Sequence, residues 1–188
     1  MTFQEAYAAM VDGPVIAAVK TAEDARNAAR SPVSVVFVLG GTILTMDDIL
    51  AELAAGDKLV FLHMDLIEGV GRDEAGLTYA ARHWKPAGII TTRSNLVRKA
   101  RELGLLAVQR VFLLDSASIR SGIQLVCQSE PDFVEIMPGL IPKAIGQFGG
   151  AGRPVIAGGM VTERAEIIDA LAAGALAVST SAYALWYE

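Results

Sequence analysis

His63 and Asp65 stand two residues apart in the run KLVFLHMD, and Glu135 interrupts DFVEIMP, so an imidazole and two carboxylates break otherwise apolar segments. In an extended chain alternate side chains share a face, which puts Val60, Leu62 and Met64 on one side and Phe61, His63 and Asp65 on the other. The same parity separates Val134 and Ile136 from Phe133 and Glu135. Charges on a buried face need partners, because an unpaired buried charge is costly. Lys20, Arg93 and Arg110 end neighbouring apolar runs and are the candidate counter-charges. One reading of this set is an internal ion-pair network that holds the interior together; the other is a binding mouth. His63 with Asp65 could form a general-base pair, and Lys20 could serve as a Schiff-base amine, although no residue is assigned as catalytic.

A second group points to phosphate. Ala157-Gly158-Gly159 and Ser179-Thr180-Ser181 each end an apolar run near the carboxyl end of the chain. Glycines let backbone N–H groups approach an anion, and hydroxyls add donors. Gly158, Gly159, Ser179 and Thr180 are therefore the candidate phosphate ligands. Gly40-Gly41-Thr42 has a similar look and reads as a loop with close backbone approach.

The elements that must carry these residues alternate from end to end. PVIAAVK, VSVVFVL, KLVFLHMD, AGIITT, LLAVQRVFLL, DFVEIMP, RPVIAGG and LAVSTS are strand-like, and each of the first seven leads into a helical segment. Thr21, Ser94, Asp115 and Thr162 are placed as N-caps, and Gly56, Gly104 and Gly174 as helix stops. Repeated βα units imply a parallel sheet with right-handed crossovers. The count predicts a compact α/β TIM (β/α)8 barrel forming one domain over residues 1–188. An open doubly wound sheet would bring a glycine-rich turn after the first strand, where this chain has TAEDAR. In a barrel, the strand ends gather at one mouth, which collects every candidate above.

Composition narrows the function. The chain is 53% hydrophobic, yet no apolar run reaches the roughly 18 residues of a membrane span. No signal peptide is visible in MTFQEAYAAM, and the lone Cys127 excludes an intrachain disulfide and favours a reducing compartment. Two histidines and one cysteine offer no metal-ligand spacing, and no cofactor is expected. The net charge is −5, but nine basic residues face four acidic ones between Arg72 and Arg120. That basic middle could attract a polyanion locally. Trp186 and Tyr187 either pack under the barrel or form the contact of a homo-oligomer.

HMDLIEG, KPAGIITTRSN, QRVFLLDS, PDFVEIMPG, PVIAGGMV and AVSTSAYALW together resemble the glycerol-3-phosphate-responsive antiterminator family, in order from about Lys58 to Trp186. The first 57 residues match only in their βα pattern. The resemblance implies a TIM-barrel-like fold, glycerol 3-phosphate as effector, binding to leader mRNA of glycerol genes and a cytoplasmic place. It carries over Asp65, Thr92, Arg93, Arg110, Glu135, Gly158, Gly159, Ser179 and Thr180, which lie in matched segments near strand ends; His63 joins them from its strand position. Glu68 departs from the motif, where a histidine is expected. If RNA binds, TRSNLVRKAR offers Arg93, Arg98, Lys99 and Arg101 before the first acid, Glu102. Closure of the Leu66-to-Gly76 loop over the ligand would be the switch. The alternative is a phosphosugar isomerase, lyase or aldolase using Lys20, or His63 with Asp65, as base.

Overall fold

Alternation of buried apolar strands with capped amphipathic helices closes the chain on itself. A computed structural model describes residues 1–188. The elements run α1 (Phe3–Asp12), β1 (Val15–Val19), α2 (Ala22–Arg30), β2 (Val35–Val38), α3 (Met46–Ala55), β3 (Leu59–His63), α4 (Glu74–His83) and β4 (Gly88–Thr91). They continue with α5 (Ser94–Glu102), β5 (Leu106–Phe112), α6 (Ser116–Ser129), β6 (Phe133–Met137), α7 (Pro142–Gly149), β7 (Val155–Gly158), α8 (Arg164–Ala172) and β8 (Ala177–Thr180). All strands pair in parallel with their sequence neighbours, and β8 returns to β1, so the sheet is a closed TIM barrel as expected. No helix is long and apolar enough to cross a membrane.

The strand parity holds. Val60, Leu62, Met64, Val134 and Ile136 pack in the shell between sheet and helices. Ile16, Phe37, Phe61, Val108, Phe133 and Ile156 fill the lumen. Phe61 meets Phe37 edge-on at 5.7 Å and Phe133 at 6.5 Å, so aromatic rings occupy the lower half of the interior. Polar side chains are thereby confined to the last inward position of each strand, at the carboxyl ends.

Helix α1 was not anticipated. Thr2 and Glu5 cap it reciprocally: the Glu5 N–H donates to the Thr2 hydroxyl at 3.3 Å, and the Thr2 N–H donates to the Glu5 carboxylate at 2.7 Å. Its buried Ala6 and Met10 join the lumen cluster, and Phe3 stacks on Phe133 at 5.2 Å, closing the amino-terminal end of the barrel.

Thr21 and Asp115 cap α2 and α6 as read from sequence. Two other caps shift by one residue. Arg93, not Ser94, holds the N-cap position of α5, and Glu163, not Thr162, that of α8. Gly104 and Gly174 take the left-handed conformation, but Gly56 has φ −99°. Gly56 is needed for space instead, since a Cβ there would lie 2.5 Å from the Ala29 carbonyl oxygen.

Candidate functional site

The register of the sheet assembles the mouth. Arg110 of β5 lies opposite Glu135 of β6, and Gly158 of β7 opposite Ser179 of β8. Arg110 Nε donates to Glu135 Oε2 at 2.6 Å, and Ser179 Oγ donates to Oε1 at 2.7 Å. All three side chains are buried, so Glu135 exchanges hydration for charge-assisted hydrogen bonds on both oxygens. Gly158 makes this geometry available: a Cβ there would collide with the Glu135 carboxylate and sit 2.5 Å from Ser179 Oγ. Its glycine is thus explained by packing of the network.

Asp65 organises the opposite side of the mouth. Its carboxylate accepts from Thr91 Oγ1 at 3.2 Å, from the Thr92 N–H at 2.7 Å and from Thr92 Oγ1 at 3.0 Å. Arg93 Nε lies 3.4 Å away. Asp65 therefore ties the start of the β3–α4 loop to the turn that opens α5. Two of the three proposed counter-charges find the expected acids; Lys20 pairs with none and stays exposed at the rim.

His63 is buried beneath this ring, and its Nδ1 has no hydrogen-bond partner; nor has Nη2 of Arg110. Burial first, and the Arg110 charge second, push the imidazole from 6.5 down to about 4, with Asp65 offsetting part of the effect. An unfolded chain takes this proton near 6.5, the folded chain only near 4. Between those values the unfolded state binds more protons, so stability falls as the pH drops through the window. The shift corresponds to roughly 3 kcal/mol, fully retained above 6.5. His63→Leu should remove this component: urea denaturation from neutral to acidic pH should show the wild type losing about that much more stability than the variant.

A cavity of about 210 Å3 opens between Lys20, Arg110 and the loops after β7 and β8. Gly159, Met160, Val161 and Ser181 line it, and their main-chain N–H groups have no acceptor within the chain. Gly159 adopts φ +75°, a conformation that lets the β7–α8 turn fold around the cavity. The hydroxyls are differently employed. Ser179 serves Glu135, while Thr180 Oγ1 donates to the Val161 carbonyl at 2.7 Å and accepts from the Ala182 N–H. The start of α8 is occupied by Glu166, which accepts from the Thr162 and Glu163 N–H groups. The uncommitted donors in this corner are thus turn amides, which sequence motifs signal only through Gly159.

Other sequence-singled residues lie elsewhere. Arg98 is exposed with no ion-pair partner, Lys99 Nζ is 3.1 Å from Glu102, and Arg101 donates to the Glu130 carbonyl at 2.9 Å. The Leu66-to-Gly76 loop is pinned at its middle. Ile43 N–H donates to the Glu68 carbonyl at 2.8 Å and Glu68 N–H to the Gly41 carbonyl at 3.0 Å, so the Gly40–Thr42 turn and Glu68 form one unit. Trp186 is buried on the mouth side, its Nε1 donating to the Thr180 carbonyl at 2.9 Å, and Tyr187 is exposed.

Fold and site define a (β/α)8 barrel with an uncommitted set of donors at its mouth. The family model for the glycerol-3-phosphate responsive antiterminator matches residues 15–186, and the chain belongs to that family. The glycerol uptake operon antiterminator regulatory protein of Listeria monocytogenes is 30% identical with a TM-score of 0.86, over 90% of this chain and 92% of that one. An antiterminator-related protein of Thermotoga maritima is 32% identical with a TM-score of 0.82, over 92% of this chain and 96% of that one. YgcP of Escherichia coli K12, itself described as uncharacterized, is 35% identical over 92% of this chain and 91% of its own length. An aldolase and an orotidine 5'-phosphate decarboxylase, at 12% and 18% identity, share the fold alone.

Proposed function

We propose that the chain is a glycerol-3-phosphate-gated regulator that binds leader mRNA of glycerol-utilisation genes and promotes transcription antitermination. The observation that carries the effector assignment is the cavity lined by Lys20, Arg110 and four residues whose amides have no acceptor within the chain, Gly159, Met160, Val161 and Ser181. Phosphate accepts from backbone donors and cations together, and the amides of half-buried Gly159 and buried Val161, left without partners, favour an anion that supplies them. Gly158, Ser179 and Thr180 shape this pocket around the ligand. The glycerol hydroxyls fall to the Glu135 and Asp65 sides of the mouth, with His63 and Thr92 beside them and Arg93 adding charge. Asp65 supports the gating role, because it joins the mouth to the turn that opens α5. Arg93, Arg98, Lys99 and Arg101 supply basic charge for RNA on α5.

Calorimetry tests the effector. Glycerol 3-phosphate should bind at least about a hundredfold more tightly than glycerol, as expected when two charge-assisted hydrogen bonds are gained. Equal affinities would reject the phosphate site. The enzymatic reading on the same barrel would ask Lys20 or His63 to act as base. An imidazole held neutral down to about 4 is a poor proton acceptor, which favours the regulator.

A further inference from the structure

Helix α4, with Lys99 of α5, lines a shallow open groove of about 450 Å3 that shares no residue with the mouth cavity. Its wall carries Glu74, Thr78, Tyr79, Arg82, His83 and Lys99. Tyr79 and His83, four residues apart on one helix, stack with centroids 4.3 Å apart and planes 30° from parallel. Both are exposed, so the stacked pair offers one outer ring face and its edges to solvent. Trp84 meets Tyr79 edge-on at 5.4 Å, and Trp84 is itself buried with Nε1 donating to Asp47 at 3.1 Å. The platform is therefore fixed from behind by folding, and little ordering is left to be done when something settles on it.

The charges around it are arranged for a polyanion. Arg82, in the groove wall on α4, and Arg98, exposed on α5 next in sequence to the lining residue Lys99, have no carboxylate within ion-pair distance. Lys99 sits between Glu102 at 3.1 Å and Glu74 at 4.0 Å, which ties the two helices together. This lies in the stretch from Arg72 to Arg120 where basic residues outnumber acidic ones nine to four, in a chain of net charge −5.

We propose that the α4–α5 groove is where the chain holds single-stranded RNA, with a base stacked on the Tyr79–His83 pair and phosphates meeting Arg82 and Arg98. This rests on the antitermination reading and moves the RNA surface from α5 alone onto both helices. An aromatic platform accepts any unstacked base, whereas a duplex hides its base faces, so the groove selects strandedness before sequence. The α5 wall is also tied to the mouth, because Asp65 accepts from the Thr92 N–H and lies beside Arg93 ahead of that helix. A ligand at the mouth can thus reach the α5 side of the groove through one carboxylate.

Fluorescence anisotropy with a fluorescein-labelled single-stranded oligoadenylate, and with its duplex, tests the assignment. Tyr79→Ala should weaken single-strand binding about tenfold, and Tyr79→Phe, which keeps the ring, should stay within about twofold of wild type. Arg82→Ala with Arg98→Ala should cost about another tenfold and flatten the salt dependence. Glycerol 3-phosphate binding by calorimetry should be unchanged in all three, since none lines the mouth. Wild-type RNA affinity in Tyr79→Ala, equal loss in Tyr79→Phe, or tighter binding of the duplex would each overturn the groove. A wild-type protein that binds glycerol 3-phosphate but no RNA would overturn the antitermination reading instead.

Discussion

Glu135→Leu should lower the unfolding free energy by about 3–5 kcal/mol, because it leaves the Arg110 guanidinium buried without its counter-charge. Arg110 and Glu135 side chains are only 5% and 1% exposed, so water cannot replace the lost partner. One nitrogen of Arg110 already lacks a partner, which makes the site poorly able to absorb a second loss. Ser179 would lose its acceptor as well. Replacing both members, Glu135→Leu with Arg110→Met, should recover most of that stability, since apolar pairs of similar volume often match a buried ion pair. Urea denaturation of the single and double variants makes the comparison. A single-variant cost under about 1 kcal/mol would mean the pair is solvated in solution. The double variant should fold yet bind glycerol 3-phosphate poorly, which separates holding the barrel from reading the ligand.

Gly159→Asp should reduce glycerol 3-phosphate affinity by about a hundredfold or more. Three effects combine at this position. The backbone has φ +75°, which costs a non-glycine residue about 1–3 kcal/mol. A Cβ would sit 2.5 Å from Met137 Cε, forcing that flexible side chain aside. The new carboxylate would then place a negative charge in the cavity assigned to phosphate. Gly159→Ala keeps the first two effects and lacks the third, so the difference between the variants in calorimetry isolates charge. Similar affinities for Gly159→Asp and wild type would move the phosphate elsewhere.

The barrel was legible because the strands are largely apolar on both faces until near their carboxyl ends, with Gln109 of β5 the buried exception, satisfied by Ser129. KLVFLHMD shows this directly, with Phe61 in the lumen, His63 above it and Leu62 in the shell. The ion pairs were legible at the level of sign, since Arg93 and Arg110 were the nearest cations to Asp65 and Glu135. Direction was harder. Thr180 was placed among the phosphate donors, but its outward position gives its hydroxyl to Val161. Thr91, which also serves Asp65, was passed over beside Thr92. Backbone donors such as those of Met160 and Ser181 leave no side-chain signature, so only the folded turn reveals them. Tyr79 and His83 carried a visible helical spacing, yet their stacking depends on Trp84 behind them. Helix α1 had a readable signal in Thr2-Phe-Gln-Glu5, a reciprocal cap at the start of a ten-residue helix.

That first helix also fixes the traffic through the molecule. Phe3, Ala6 and Met10 act as a stopper at one pole, and the three lumen phenylalanines leave no passage behind them. An effector held in the mouth as proposed would have to leave by the door it entered. Its dwell time is then set at one rim, where Lys20, Gly159 and Met160 stand, and anything seated across that rim would slow arrival and departure alike.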